Sequence, residues 1–221
     1  MTPDGFGQDG FGQDGFEQDG FGQDWFEPVP LTGTGLVLTP IHPDDAPGLL
    51  SALGTPGDAA EVLQHLRWAA PADVDQARRA IEEMIGAPDR IAYAQRLRTS
   101  GEFVGTTSFY EITPPTRAIA IGHTWIGRRH WRTGVNTESK LLMLTRAFQG
   151  LGAERVVWHT DIRNLRSQRA IERLGAQREG ILRHHRIRLD GSWRDTVQYS
   201  MLADEWPAVR DRLISASTRE E

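Results

Sequence analysis

From Arg117 to Thr160 the chain runs through an apolar segment "RAIAIGHTWIG", a basic loop "RRHWRTG", a helical segment "NTESKLLMLTRAFQGLG" and a second apolar segment "ERVVWHT". In the helical segment Leu141, Leu144, Phe148 and Leu151 fall on one face, the spacing of a helix laid on a core. A strand, a helix and a second strand in that order imply a parallel crossover. No other stretch restricts the topology as strongly.

The flanking segments extend the pattern. "GLVLTPI" (Gly35–Ile41) reads as a strand, and "HPDDAPGLLSAL" as a helix begun by Pro43 and Asp44. "ADVDQARRAIEEMIG" places Val74, Ala77, Ile81, Met84 and Ile85 at helical spacing, with Gly86 as the stop. "RIAYAQRLR" and "EFVGTTSFYEI" are strands joined by "TSG". "NLRSQRAIERLG" is a helix capped by Asn164 and ended by Gly175. "REGILRHHRIRL" and "SWRDTVQYSML" form a hairpin about an Asp-Gly turn, and "DEWPAVRDRL" closes as a helix. The expected fold is α/β: a central mixed, mostly antiparallel sheet flanked by helices.

The first thirty residues are of another kind. "DGFGQ" recurs with a five-residue period, ending in "DWFEP". Glycine at this density with so few apolar residues cannot offset the entropy of ordering. We read residues 1–30 as a disordered acidic tail and 31–221 as one domain. A second reading makes the tail an adhesive segment, with one aromatic per repeat docking on a partner or on the body. The tail carries seven acids and no base, so the overall charge of −5 conceals a body of net +2. Lysine occurs only at 140, the other 24 bases being arginine, which we read as codon bias.

The chain has no cysteine, which removes disulfides, thiolate metal ligands and thiol nucleophiles. No metal site is expected. No apolar run approaches the roughly 20 residues of a membrane span, and no signal peptide opens the chain. A cytoplasmic protein without membrane or DNA partners is expected, and a homodimer is compatible with the sequence.

The basic loop raises the functional question. The helix after Gly134 leaves its first N–H groups free, with the positive end of its dipole facing out. Arg128, Arg129 and Arg132 stand beside that end, and Thr133 and Thr137 add hydroxyls. Such an end is suited to an anion, and Gly134 lets the backbone approach closely. A one-glycine loop alone is equally an ordinary capped helix start. The crossover setting favours a ligand. So does the "NLRS" segment, which brings Asn164 and Ser167 to the neighbouring strand end.

"IGHTWIGRRHWRTGVNTESKLLMLTRAF", with "VVWHTDIRNLRSQRAIERLGAQREGILRHH" and "DTVQYSMLADEWP", resembles the GNAT superfamily of acyl-CoA-dependent N-acyltransferases. Within it the closest likeness is to the ribosomal-protein N-acetyltransferase (RimJ/RimL-type) branch, over roughly Gly35 to Leu213. The resemblance implies acetyl-CoA, or another acyl-CoA, with its pyrophosphate on Arg132, Thr133, Gly134, Val135, Asn136 and Thr137. It implies a pantetheine arm along Thr124, Trp125 and Ile126, and contacts near the thioester from Asn164 and Ser167. Many members carry Gly or Ala where this chain has Asn136. Many also carry a glutamate two residues before the glycine of "IGxxW", where this chain has Ala120.

Without that glutamate the base is open among His123, Glu111 and His159. Ser167 and Tyr199 are candidates to protonate the leaving thiolate, and Trp68 and His123 to line the acceptor site. Each has a plainer reading: a packed strand histidine, a first-turn helix hydroxyl, a core tyrosine or tryptophan. An α-amine with a pKa near 8 is about one-tenth neutral at pH 7, a lysine amine about one part in 2,500. The missing carboxylate therefore favours an N-terminal α-amine or a small low-pKa amine as acceptor. Two other functions compete. Residues 155–194 hold ten arginines against four acids, and Arg163, Arg166, Arg169 and Arg173 recur at helical spacing, as in an RNA- or ribosome-binding face. Ala120 would also suit a catalytically degenerate acyl-CoA sensor.

Overall fold

The computed structural model describes residues 25–217. The repeat residues 1–24, and the tail readings that rest on them, lie outside the described residues. Eight strands form one sheet in the order β1-β2-β3-β4-β5-β6-β8-β7. They are β1 (Leu31–Thr32), β2 (Leu36–Pro40), β3 (Arg90–Leu97), β4 (Phe103–Thr113), β5 (Ala118–Ile126), β6 (Arg155–Asp161), β7 (Gln177–Ile187) and β8 (Trp193–Leu202). β5 and β6 run parallel, as the crossover demands, and the other neighbours pair antiparallel.

Six α-helices flank the sheet: α1 (Ala46–Leu53), α2 (Pro56–Leu63), α3 (Val74–Ile85), α4 (Val135–Thr145), α5 (Leu165–Leu174) and α6 (Trp206–Ser217). Their ends follow local chemistry. Thr55 and Asp58 form a capping box at α2. Asp73 caps α3, and Asn164 caps α5 by accepting from the Ser167 N–H at 3.0 Å. Gly175, at φ 95, ends α5 in the left-handed conformation. A π-helical turn (Arg146–Gly150) prolongs α4.

The sheet separates two cores. On one face Ile119, Ile121, Met143, Leu144, Trp158 and Tyr199 pack with α4, α5 and α6; on the other, Trp125, Phe103 and Ala94 pack with α1–α3. The second helical layer covers only the β2–β5 half of its face, so the strands beyond it present polar side chains there.

Four differences from the sequence expectations have physical causes. Helix α2 and strand β1 were not foreseen, both being short and rich in Pro, Gly or Thr. The β7–β8 connection is a three-residue turn, Leu189–Gly191, closed by the Arg188 N–H donating to Ser192 O at 2.9 Å. Gly191 at φ 79 supplies the left-handed position of such turns. Trp25 is 2% exposed and belongs to the first core, so the body begins earlier than residue 31. Helix α4 begins at Val135 with Gly134 as its N-cap residue and no side-chain cap, in place of an ordinary capped helix start.

Candidate functional site

The site is built around a wedge. β5 pairs with β6 only at Ala118–Ala120 against Arg155–Val157, yet β5 continues to Ile126 and β6 to Asp161. The carboxyl halves of the two strands therefore diverge, and each turns an edge without a ladder partner toward the other. Backbone polar groups in such a position need partners, and an extended ligand with amide groups supplies them. Thr124, Trp125 and Ile126 lie on one wall. Asn164 and Ser167 stand just beyond the end of the other.

At the mouth, Arg132 (φ 65) and Gly134 (φ 75) turn the chain into α4. The Thr133 hydroxyl donates to His130 O at 2.7 Å rather than capping the helix. Glu138, in the first turn, accepts from Gly35 N, Leu36 N and the Thr34 hydroxyl, which anchors α4 to β2. Across the mouth the Arg166 guanidinium lies 3.9 Å from the Trp131 ring centroid, a cation–π contact. Gly134, Val135, Asn136 and Thr137 thus present an uncapped helix start with its dipole toward the wedge. This donor set fits a pyrophosphate, and the wedge fits an amide-bearing arm.

The inner end of the wedge is shaped by a β-bulge. Thr106 pairs with Trp125 and Ser108 with Gly122, so His123 and Thr124 together oppose Thr107. His123 takes φ 50 at this bulge, a left-handed conformation that re-aims its side chain. From the α4 side Lys140 fills the bulge, donating to Thr124 Oγ1 at 2.7 Å and Thr107 Oγ1 at 3.0 Å. On the opposite side the His123 ring packs edge-on to Tyr110, centroids 5.0 Å apart.

Tyr110 lies across β5. A Cβ on Gly122 would stand 2.7 Å from Tyr110 Cε1, and the cross-strand partner of Tyr110 is Ala120. Two small residues let the ring pass over the strand, and its hydroxyl meets His159 Nδ1 of β6 at 3.0 Å. His159 Nε2 meets Gln198 Oε1 at 3.2 Å. Since that oxygen only accepts, Nε2 carries the proton and Nδ1 accepts from Tyr110. Glu111 Oε2 stands 3.7 Å from His159 Nδ1, and Glu111 Oε1 stands 3.7 Å from Arg186.

The titration of these groups follows their surroundings. His123 keeps an exposed surface, but desolvation and then the Arg90, Arg194 and Arg186 cations push its pKa down to about 4. It is neutral at pH 7. Burial pushes the Tyr110 phenol well above its ordinary value, with Glu111 adding to the rise. Burial alone pushes Lys140 down to about 7.

A cavity of about 910 Å³ has Trp68, which stacks on Trp125, in its wall. Its walls are α1, α2, the segment after α2, the end of β6 and the β7–β8 turn. Trp68 lies in the connection between α2 and α3, its ring centroid 6.1 Å from that of Trp125.

The expected residues are thus distributed as follows. His123, Thr124, Trp125 and Ile126 line the bulge and wedge, residues 132–137 form its mouth, and Asn164 and Ser167 start the facing helix. Glu111 stands near His159 at the polar face. Tyr199 is fully buried in the first core, its hydroxyl donating to Glu172 Oε1 at 2.9 Å, and its pKa is pushed up to about 12 by burial and Glu172. Phe109 is core, and Trp193 is exposed against His184. Tyr110, Trp131 and the Asp161–Arg194 pair were not singled out from the sequence, Lys140 was noted only as the lone lysine, and Arg166 only as part of a basic helix face. One signal was available: Lys140 is the only lysine in the chain.

Among the described residues no helix is long and apolar enough to cross a membrane.

The acetyltransferase (GNAT) domain model matches residues 35–177. From Bacillus subtilis, the "Uncharacterized N-acetyltransferase YoaA" is 33% identical over 107 residues, 48% of this chain and 58% of that protein. From the same organism, the "Putative ribosomal N-acetyltransferase YdaF" is 30% identical over 106 residues, 48% of this chain and 57% of that protein. The matches thus span a little over half the length of these two relatives. A GCN5-related N-acetyltransferase from Brucella melitensis aligns with TM-score 0.81 and 28% identity over 86% of this chain and 85% of that one. Mycobacterium smegmatis RimJ in complex with CoA-disulfide shares the fold, with TM-score 0.74 and 20% identity over 86% and 95% of the two chains. The chain belongs to the GNAT family of acyl-CoA-dependent N-acetyltransferases.

Proposed function

We propose that this enzyme transfers an acetyl group from acetyl-CoA to a primary amine, by direct attack in a ternary complex, and that the acceptor is an N-terminal α-amine or a small-molecule amine. The observation that carries the reading is the wedge between β5 and β6, which opens beside the uncapped start of α4. The RimJ-type likeness and the identity with YdaF favour a ribosomal-protein terminus among possible acceptors.

Bound acyl-CoA supplies the activated acyl group as a thioester. Residues 132–137 hold its phosphates through backbone N–H groups and the helix dipole. The free edge of β5 around Trp125 donates to the oxygen on which negative charge develops. Asn164 and Ser167 face the same space from α5. The Ser167 hydroxyl makes no hydrogen bond among the described residues and is available to return a proton to the leaving sulfur. Tyr199, bonded to Glu172 in the core, is the weaker donor.

The acceptor must arrive neutral. His123 is held uncharged, so it receives an N–H hydrogen bond without repelling an approaching ammonium. With a pKa near 4 it is a poor base. Proton removal therefore falls mainly to the acceptor's own equilibrium with water, with Glu111 and the Tyr110–His159 pair bordering the exit. This suits an α-amine better than lysine.

The test is turnover of acetyl-CoA by the full chain on a mixed panel of N-terminal peptides, internal-lysine peptides and small amines, read by mass spectrometry. Products on α-amines or small amines are expected. Products on internal lysines alone would overturn the acceptor reading. Binding of acetyl-CoA with no product on any amine would favour the acyl-CoA sensor.

A further inference from the structure

The cavity is apolar over most of its wall and carries three arginines, Arg67, Arg188 and Arg194, against two aspartates, Asp161 and Asp190. Asp161, 2% exposed, is fully engaged. It accepts from Arg188 Nε at 2.7 Å, Arg188 Nη2 at 2.9 Å and the Arg163 N–H at 2.9 Å. Arg194 reaches the same carboxylate only at 3.9 Å through Nε, too far for a hydrogen bond. Its side chain is 13% exposed, and Nε is buried without a hydrogen-bond partner. Arg67 lines the same cavity, is exposed, and adds a second cation to the field of Arg194.

A guanidinium N–H buried without a hydrogen-bond partner, as at Arg194 Nε, is costly to fold around. Asp161 attracts Arg194 through space but, engaged by Arg188, gives its Nε no hydrogen bond. An anion entering the cavity can accept one. The placement also reaches the reaction centre, because the charge of Arg194 acts on His123 and Tyr110 at the bulge as well as on His65 across the cavity.

We propose that the cavity selects acceptor amines that carry a carboxylate on the same molecule, with Arg194 as the counter-ion and Arg67 as an auxiliary cation. Arg194 is here a specificity residue. The inference rests on the acetyltransferase reading and narrows its acceptor to one chemical class. A carboxylate beside the amine occurs in free amino acids, and one further along occurs in peptides with an acidic second residue. Both present the same anion to Arg194.

The experiment compares matched acceptors on the full chain: amino acids against their carboxamides, and tripeptides with Asp or Glu second against Asn or Gln. A preference of at least about tenfold in kcat/KM for the acid of either pair is expected, residing mainly in KM, the size of a charge-assisted hydrogen bond. In Arg194→Gln the preference should vanish while acetyl-CoA Kd by calorimetry stays within about twofold. Arg194→Lys should keep part of it. Arg67→Gln, at an exposed position, should reduce it severalfold and keeps the test open should Arg194→Gln fail to fold. Equal turnover of acid and amide in both pairs overturns the proposal, as does a preference that survives in Arg194→Gln. Absence of turnover on any amine would instead overturn the acyltransferase reading.

Discussion

Lys140 Nζ lies 2.7 Å from Thr124 Oγ1, beneath the bulge at which His123 takes φ 50. The single lysine of the chain is thus a buried donor bridging β4 and β5 at the bulge. Its partners are the neutral hydroxyls of Thr107 and Thr124, themselves 2.9 Å apart, so no carboxylate balances a charge there.

That burial sets a pH dependence of stability. Lys140 loses its proton at about 7 in the folded chain, against 10.5 for the free side chain. Between these values the unfolded chain holds more protons, so stability rises with pH across that window and the advantage is absent below it. Urea unfolding at pH 7, 8 and 9 should show this rise, up to about 1.4 kcal/mol per pH unit, and should lose it in Lys140→Met. Parallel slopes for the two proteins would mean that Lys140 is charged in the fold.

Gly134 occupies φ 75 where the chain enters α4. A β-carbon there costs about 1–2 kcal/mol and crowds the approach of a phosphate. Gly134→Val should lower stability by that amount and raise the acetyl-CoA Kd by about tenfold or more, measured by calorimetry. An unchanged Kd would detach the phosphates from this loop.

The low pKa of His123 makes a kinetic statement. A histidine charged only near pH 4 contributes no inflection between pH 5 and 8. The profile of log kcat/KM should climb with unit slope to the acceptor's own pKa. His123→Gln should keep that shape at a lower level, reduced by about tenfold for a lost hydrogen bond. An inflection near 6.5 that disappears in His123→Gln would identify the imidazole as the base.

Trp25 is packed among Leu36, Met143 and the rest of the first core. Trp25→Ala should destabilise by about 3–5 kcal/mol, the usual cost of emptying a tryptophan site, seen as a lower urea midpoint. A deletion meant to probe the repeat alone must therefore stop at residue 24, since removing residues 1–27 removes this side chain as well.

Much of the fold was legible because it is local. The spacing of Leu141, Leu144 and Phe148, the Asn164 cap and the Gly175 stop are written within a few residues of each other, and periodicity reads such patterns directly. The strand–helix–strand order carried the parallel pair and with it the place of the mouth at residues 132–137. Two short elements, β1 of two residues and α2 of eight, left no such trace.

Tertiary structure decided what depends on neighbours distant in the chain. The bulge at His123 exists only because β4 and β5 pair out of step at Thr107, and the need for Ala120 and Gly122 shows only once Tyr110 crosses above them to reach His159. Asp161 and Arg188 lie 27 residues apart, and neither reveals alone that Arg194 Nε will be buried without a hydrogen-bond partner. Sequence patterns report which face of an element is apolar. The charges and hydroxyls of this site acquire their roles from which strand ends meet, which is a property of the sheet and not of any one segment.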